Sequence, residues 1–228
     1  MVASNSLRLA VFDCDGTLVD SQASIISSME AAFEVHSHPV PDAESIRRMV
    51  GLPLRVAMEK LLPHVEAEEH IKLETSYKEA FGDLRRRGEV SDPLYPGALD
   101  VLNTLEEDGW LLGIATGKGH RGLRLTLEVH GLMSRFQTLQ TADSAPGKPD
   151  PGMLLNAMRE TGAEVQDTVM IGDTTFDMEM AVNAGVMAIG VSWGYHLHEH
   201  LHSAGACVVI EEFHVLPETL KTMGDVYT

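Results

Sequence analysis

The sequence predicts an α/β fold, a doubly wound parallel sheet of the Rossmann-like kind that carries an inserted α-helical cap domain. Three observations support this prediction. Short apolar runs with β-forming residues recur along the chain and alternate with amphipathic helical patterns. One segment near the amino terminus breaks the alternation, because its pattern is almost wholly helical. Acidic and hydroxyl residues stand directly after several apolar runs, where open parallel sheets bind their ligands.

The predicted strands are short and apolar, as expected for strands buried on both faces. They lie at residues 9–12, 111–115, 136–139, 168–171, 187–191 and 207–210. Helical patterns with apolar residues on one face lie between most of them, at residues 97–108, 122–130 and 150–161. Strands that alternate with helices favour parallel pairing, because a crossover helix returns the chain to the same end of the sheet.

The helical segment is predicted to form the cap domain over residues 21–90, with residues 1–20 and 91–228 forming the catalytic core. Ser21 and Asp42 are expected to cap the first two cap helices, because both side chains can accept a backbone hydrogen bond. Pro53 is expected to open a third helix, and residues 65–87 read as one long charged helix. The turn-rich stretch 91–97 then returns the chain to the sheet.

The composition limits the partners and the compartment. The chain has 228 residues, of which 34 are acidic and 17 basic, so its formal net charge is −17. That charge repels nucleic acid and anionic membrane surfaces, and neither is an expected partner. Cys14 and Cys207 lie far apart without metal-ligand spacing, and the Met1 end shows no apolar stretch typical of a signal peptide. We therefore expect a reduced, cytoplasmic protein; the sequence does not indicate an oligomeric state.

Groups suited to phosphate and metal chemistry follow the predicted strands. Asp13 and Asp15 lie one residue apart after the first strand, and two like charges so close together need a specific reason. Comparable positions hold Thr116 with Gly117 and Lys118, Lys148, and Asp173 with Asp177. Carboxylates that converge at one sheet edge repel one another unless a divalent cation lies among them. Hard oxygen ligands of this kind suit Mg²⁺.

These motifs resemble those of the haloacid dehalogenase-like superfamily of phosphohydrolases, in the branch with a helical cap inserted after the first motif. The stretch Asp13-Cys14-Asp15-Gly16-Thr17 is similar to the family's Asp-x-Asp-Gly-Thr. The hydroxyl, the lysine and a Gly-Asp-x-x-x-Asp over residues 172–177 follow in the family's order. The resemblance covers nearly the whole chain.

The resemblance implies a role for each motif residue. Asp13 is expected to attack phosphorus and form an aspartyl-phosphate, and Asp15 to act as general acid and later base. Thr116 is expected to donate its hydroxyl to a phosphoryl oxygen, and the backbone amides of Gly117 and Lys118 are available nearby. Lys148 is expected to neutralise phosphate charge and to hold Asp13 in place. Asp173 is expected to bind Mg²⁺ together with Asp13 and the main-chain carbonyl of Asp15, with Asp177 in a supporting contact. The dehalogenase branch replaces the second acid, so Asp15 favours a phosphatase.

The cap is expected to choose the substrate, and the turn at residues 50–53 resembles the substrate-facing turn of phosphoglycolate phosphatases. Candidate contacts are Arg47, Arg48, Gly51, Leu52, Pro53 and Arg55. An arginine at this place suits the carboxylate of a small phosphoester. A small phosphorylated metabolite is therefore the expected substrate, with phosphoglycolate as the leading candidate.

Three alternatives stay open. Ile25 stands where β-phosphoglucomutase-like relatives carry a histidine, which disfavours a mutase or phosphosugar enzyme without excluding it. The stretches 25–28 and 190–194 resemble inorganic pyrophosphatases of the same superfamily. A catalytically silent regulator that binds phosphate or metal on the same fold is the alternative of another class.

Two further features are interpreted as structural. His196, His198, His200 and His202 alternate along one segment, which we expect to be solvated and near the mouth of the site rather than a transition-metal site. Cys14 is expected to point away from its two acidic neighbours into the core, because side chains alternate along a strand.

Overall fold

The structure is a computed structural model that describes residues 7–226. Its six strands are β1 (Leu9–Phe12), β2 (Leu111–Thr116), β3 (Thr138–Thr141), β4 (Thr168–Gly172), β5 (Met187–Val191) and β6 (Val208–Ile210). They form one parallel sheet in the order β3-β2-β1-β4-β5-β6. The predicted α/β fold with a parallel sheet is confirmed.

The described part of the chain has ten α-helices. They are α1 (Gln22–Val35), α2 (Ala43–Arg47), α3 (Leu54–Leu61), α4 (Ala67–Arg87), α5 (Ala98–Glu107), α6 (His120–Val129), α7 (Gly152–Thr161), α8 (Thr175–Ala184), α9 (His198–Ser203) and α10 (Leu216–Val226). We call α1 to α4 the cap, because all four lie between β1 and the rest of the sheet in the sequence.

The sheet buries a core on each face, since successive side chains of a strand point to opposite sides. Phe12 belongs to the cluster under α5, α6 and α10, whereas Val11 belongs to the cluster under α7, α8 and α9. Cys14 is only 1% exposed and joins the first cluster, as the strand alternation predicts. The cap has an apolar cluster of its own, built from Ile25, Met29, Phe33, Ile46, Met58 and Leu73.

The strand order places β1 at the centre of the sheet, paired with β2 on one side and with β4 on the other. Leu9 is in register with both Leu111 and Thr168. From β1 the next two strands are added on one side of the sheet, and from β4 the remaining strands are added on the other side. The strand order therefore reverses between β1 and β4, and α/β sheets bind ligands at such a switch point. The residues that follow β1, β2 and β4 therefore meet at one edge of the sheet.

Two local predictions are wrong. The third strand runs over Thr138–Thr141 rather than 136–139. Before its start, the Leu112 N–H donates to the side-chain oxygen of Gln137 at 2.7 Å, where a regular ladder would have a main-chain carbonyl as the acceptor. Ser21 stands at the start of α1 but its side chain makes no capping bond; its hydroxyl donates to Asp15 instead. Asp42 does cap α2, accepting from the Ser45 N–H at 2.9 Å.

Within residues 7–226, no helix is both long enough and apolar enough to cross a membrane.

Candidate active site

Asp13 lies directly after β1 and is held there by the main chain. Its N–H donates to the Ile171 carbonyl at 2.9 Å, which extends the pairing of β1 with β4 by one step. The carboxylate Oδ1 accepts from the Cys14 N–H at 2.6 Å, and the side chain is 1% exposed. Its second oxygen, Oδ2, lies 3.0 Å from Lys148 Nζ.

Lys148 joins two carboxylates in the interior of the site. Its ammonium lies 3.0 Å from Asp13 Oδ2 and 2.5 Å from Asp177 Oδ1, and the three side chains are 1% exposed or less. Burial lowers the pKa of Lys148, but the charges of Asp13 and Asp177 outweigh it and leave that pKa above its usual value. Lys148 is therefore a cation that two buried acids keep protonated.

Asp173 follows β4 and lies opposite Asp13. Its Oδ1 accepts from the Thr17 hydroxyl at 2.8 Å, and its Oδ2 accepts from the Tyr195 N–H at 2.9 Å. Gly16 makes room for this carboxylate, because a Cβ built at residue 16 would lie 2.3 Å from Asp173 Oδ2. Gly16 also has φ +86°, a backbone region that residues with a side chain rarely adopt.

Asp177 has two functions in the first turn of α8. It forms a capping box with Thr174, in which the Asp177 N–H donates to Thr174 Oγ1 at 3.3 Å and the Thr174 N–H donates to Asp177 Oδ2 at 3.1 Å. The Thr174 hydroxyl also donates to Asp177 Oδ2, at 2.7 Å. The other oxygen faces Lys148. Residue 172 must be a glycine, because a Cβ there would lie 2.4 Å from the carboxyl carbon of Asp177.

The buried acids outnumber the single lysine among them. Asp13, Asp173 and Asp177 offer oxygens that all lie within 4.8 Å of one another. Burial raises the pKa of Asp13 to about 7, with Asp177 and Asp15 adding to the rise and Lys148 opposing it. Burial, together with the charges of Asp13 and Asp177, raises the pKa of Asp173 well above its usual value. A divalent cation with hard oxygen ligands fits this excess of negative charge.

Asp15 is held by donors that the sequence did not predict. Its Oδ1 accepts from the Ser21 hydroxyl at 2.5 Å and lies 2.9 Å from Lys118 Nζ. Asp15 Oδ2 has no hydrogen-bond partner within residues 7–226. Thr116, at the end of β2, is 1% exposed and accepts the Lys118 N–H at 3.3 Å.

Tyr195 is another unpredicted neighbour of this site. Its Oη is buried close to the Ser21 hydroxyl, although no bond of regular hydrogen-bond geometry holds it in the part of the chain that the structure describes. Burial is the main cause that raises the pKa of Tyr195, followed by the nearby charge of Asp15. The phenol is therefore protonated and has a hydrogen to donate.

The cap turn at residues 51–53 docks on the core. A Cβ at Gly117 would lie 2.5 Å from the Gly51 carbonyl oxygen, and one at Gly147 would lie 2.0 Å from Pro53 Cγ. His196 adds a polar link. Its Nδ1 accepts the Thr175 N–H at 3.1 Å, so its Nε2 carries the hydrogen and donates to the Arg48 carbonyl at 3.3 Å.

A partly open cavity of about 960 Å³ lies between the cap and the core, above the acids. Asp13, Asp15 and Thr116 line its floor, and Gly51, Leu52, Pro53 and Arg55 line it from the cap. The side chains of Arg47 and Arg48 lie elsewhere. Arg47 contacts Gln22 at 3.4 Å, and Arg48 pairs with Glu44 on the surface. Of the three predicted cap arginines, only Arg55 reaches the cavity, where it donates to Glu74 at 2.7 Å.

The histidines of residues 196–202 differ in what they contact. His196 touches both the cap and α8, as described above. His198 and His202 lie on α9, where their rings pack edge to face with centroids 4.9 Å apart. The cluster of possible metal ligands found among the described residues lies at Asp13, Asp173 and Asp177, not in this segment.

Comparison with known proteins decides the family. The model of haloacid dehalogenase-like hydrolases matches residues 10–191, which include both aspartates after β1 and the pair after β4. The chain belongs to the haloacid dehalogenase-like hydrolases. The family membership predicted from the motifs is therefore confirmed, and so is the expectation of a phosphatase, since the curated relatives are phosphatases.

Members of the haloacid dehalogenase-like family match this chain along most of their length. A relative from Dickeya dadantii named "Probable phosphatase IndB" is 36% identical, over 90% of each chain. A phosphoglycolate phosphatase from Caulobacter vibrioides is 32% identical, over 93% of this chain and 90% of its own. Among solved structures, a hydrolase from Pseudomonas syringae superposes with a TM-score of 0.83 at 26% identity, covering 94% of this chain and 98% of its own.

Proposed function

We propose that this phosphatase is Mg²⁺-dependent and hydrolyses a small phosphorylated metabolite through an aspartyl-phosphate on Asp13. The observation that carries the proposal is the convergence of Asp13, Lys148 and Asp173 at the switch point of the sheet. We also propose that residues 21–90 act as a cap domain that covers this site, and that the enzyme works in the cytoplasm.

The chain offers a suitable place for the metal. Asp13 and Asp173 would hold Mg²⁺, together with the main-chain carbonyl of Asp15. When bound, the ion would neutralise charge on the phosphoryl oxygens and keep the Asp13 carboxylate ionised. The raised pKa values of Asp13 and Asp173 support this assignment, because both acids lack enough positive charge around them.

Asp13 is fixed for an in-line attack. The Cys14 N–H and Lys148 Nζ hold its two oxygens from different sides, so the carboxylate has little freedom to rotate. Such positioning supplies much of the catalysis in phosphoryl transfer. Lys148 is also available to stabilise the transferred group, since it stays protonated. The Thr116 hydroxyl at the end of β2 is placed to donate to a phosphoryl oxygen.

Asp15 is placed to move the proton. Ser21 and Lys118 both engage its Oδ1, which leaves Oδ2 to donate to the leaving oxygen and later to take a proton from water. In this proposal, the carboxylate of Asp13 attacks phosphorus and the carboxylate of Asp15 transfers protons.

The substrate is proposed from two sources. The curated relatives include phosphoglycolate phosphatases, which keeps phosphoglycolate as the first candidate. Arg55 lines the cavity, and because only its Nε donates to Glu74, its terminal N–H groups remain for an anionic leaving group. Inorganic pyrophosphate and sugar phosphates remain the alternatives within the family.

Hydrolysis of p-nitrophenyl phosphate with and without Mg²⁺ tests the proposal. The wild-type protein is expected to be active only with Mg²⁺, and Asp13→Asn is expected to reduce kcat to the blank. Asp100→Asn, an exposed acid on α5, is the matched control and should retain full activity. A wild-type protein no faster than the blank in either buffer would instead support a regulator that binds phosphate or metal. Specificity constants for phosphoglycolate, pyrophosphate and sugar phosphates then rank the substrates.

A further inference from the structure

The cavity is larger than the reaction itself requires. Its volume of about 960 Å³ lies near the top of the range of roughly 300–1,000 Å³ in which proteins bury ligands of drug size. A two-carbon acid such as phosphoglycolate would fill only part of it. The cap turn is nevertheless docked on the core, since the Gly51 carbonyl leaves no room for a Cβ at Gly117. The space is therefore a partly open cleft between a cap and a core that already touch at this turn.

One face of α4 gives this cavity a wall with two aromatic rings. Tyr77, Phe81 and Arg85 follow one another at intervals of four residues, so they form a single stripe along the helix. All three line the cavity. The rings of Tyr77 and Phe81 lie 6.1 Å apart between centroids, and the Arg85 guanidinium lies 5.7 Å from the Phe81 centroid.

Lys118 connects the stripe to Asp15, the acid proposed to transfer the proton. Lys118 Nζ lies 2.9 Å from Asp15 Oδ1 and 5.5 Å from the centroid of the Phe81 ring. Arg85 lies one helical turn beyond Phe81, which is about 6 Å further along α4. A leaving group bound on this wall would therefore have its ester oxygen near Asp15 and its far end near Arg85.

Two of the cations that line the cavity have no acidic partner. Arg55 and Lys78 share Glu74, Arg86 pairs with Asp83, and Lys118 pairs with Asp15. Arg85 and Arg121 line the cavity as well, and neither forms an ion pair with any residue in the range 7–226.

No acid that lines the cavity forms an ion pair with either arginine in the described range 7–226. Glu74 is occupied by its two cations, and Asp143 accepts the His120 N–H at the start of α6. Glu79 and Arg121 also line the space and are both exposed, whereas Arg85 is half-buried. In a chain of net charge −17, two unpaired guanidinium groups that face one cavity favour an anionic ligand.

We propose that this wall is a leaving-group subsite, and that it selects phosphate monoesters with a flat, largely apolar body and an anionic group at the far end. This inference rests on the proposed phosphatase function and refines its substrate class. Tyr77 and Phe81 contact the flat body, and Arg85 and Arg121 bind the distal anion. Phosphoglycolate, the first candidate from the comparison with relatives, lacks such a body, and this inference therefore ranks it below esters that have one.

A matched pair of aryl esters tests the subsite. The esters 4-(carboxymethyl)phenyl phosphate and 4-methylphenyl phosphate have similar leaving groups and differ in the distal carboxylate. The wild-type enzyme is expected to prefer the carboxylate ester by about tenfold or more in kcat/KM, which corresponds to about 1.4 kcal/mol. Arg85→Gln combined with Arg121→Gln is expected to remove this preference while leaving the methyl ester nearly unaffected. Arg87→Gln, which changes an exposed arginine paired with Glu89, should leave the ratio unchanged.

The outcomes separate the two levels of the proposal. If neither ester nor p-nitrophenyl phosphate is hydrolysed with Mg²⁺, the proposed function fails. If both esters are hydrolysed equally well by the wild type, or if the double variant keeps the wild-type ratio, the function stands and the subsite is refuted. A kcat/KM for phosphoglycolate above that of the carboxylate ester also refutes it.

Discussion

Replacing Lys148 by methionine tests the electrostatics of the site. Lys148→Met keeps most of the volume of the side chain but removes the cation between Asp13 and Asp177, all three of which are 1% exposed or less. Removing one partner of a buried ion pair costs about 3–5 kcal/mol, because the remaining charge is left uncompensated. For a chain of this size, that corresponds to a fall in Tm of roughly 6–20 °C.

The loss is expected to depend on pH and on the metal. Asp13 has a raised pKa of about 7 in the folded protein, so folding becomes less favourable as the pH rises through that value, where the acid must ionise. Without Lys148 this effect grows, and the destabilisation should be larger at pH 8 than at pH 5.5. Mg²⁺ at about 100 times its Kd should return about 2.7 kcal/mol.

Thermal unfolding in metal-free buffer at both pH values, repeated with Mg²⁺, is the assay. Lys60→Met provides the control, since Lys60 is exposed and has no ion-pair partner in the described part of the chain. Equal Tm values for Lys148→Met and the wild type at pH 8 without metal would refute the reasoning. So would a larger loss at pH 5.5 than at pH 8.

Three further predictions concern other parts of the site. Asp15→Asn should lower kcat by about 10²–10⁴-fold for alkyl phosphates and less for p-nitrophenyl phosphate, whose leaving group needs no proton; equal losses for both would contradict a general acid. Gly117→Ala should cost about 1–3 kcal/mol or raise KM by displacing the cap turn at Gly51, and unchanged Tm and KM would show that the turn does not dock. Burial lowers the pKa of His196 from 6.5, so its stabilising bonds are present above that pH and weaken as the pH falls. His196→Gln should therefore lower stability by about 1 kcal/mol at pH 8 and by less at pH 5, and a loss that grows on acidification would oppose this assignment.

The sheet and its motif residues could be predicted from the sequence because they follow local rules. Apolar runs mark buried strands, and residues after parallel strands meet at one edge. Asp13, Lys148 and Asp173 thus converge as predicted, although they are far apart in the chain.

The neighbours of Asp15 could not be predicted, because they depend on how loops fold back. Ser21 looked like a helix cap, since serine at such a position usually accepts a backbone bond. Here its hydroxyl finds a stronger acceptor in a buried carboxylate. Lys118 was expected to offer only its amide, and its side chain turns inward because Asp15 compensates its buried charge. Tyr195 had no sequence signal beyond its place after β5.

The cap arginines show the same limit. Arg47, Arg48 and Arg55 all lie near the turn that resembles other phosphatases, but helix phase decides which side chain faces inward. Arg55 lies on α3 and faces the cavity, whereas Arg48 follows α2 and faces Glu44 on the surface. The unpaired Arg85 lies on α4, far along the sequence from that turn.

The most direct test of the account is to trap phosphate on Asp13. The enzyme is mixed with Mg²⁺ and p-nitrophenyl phosphate, quenched in acid within a single turnover, and treated with borohydride, which reduces an acyl phosphate. Peptide mass spectrometry should then find the reduction product at residue 13, and none when substrate is omitted. Phosphate release by a protein that never acquires this mark, together with an active Asp13→Asn variant, would contradict the account.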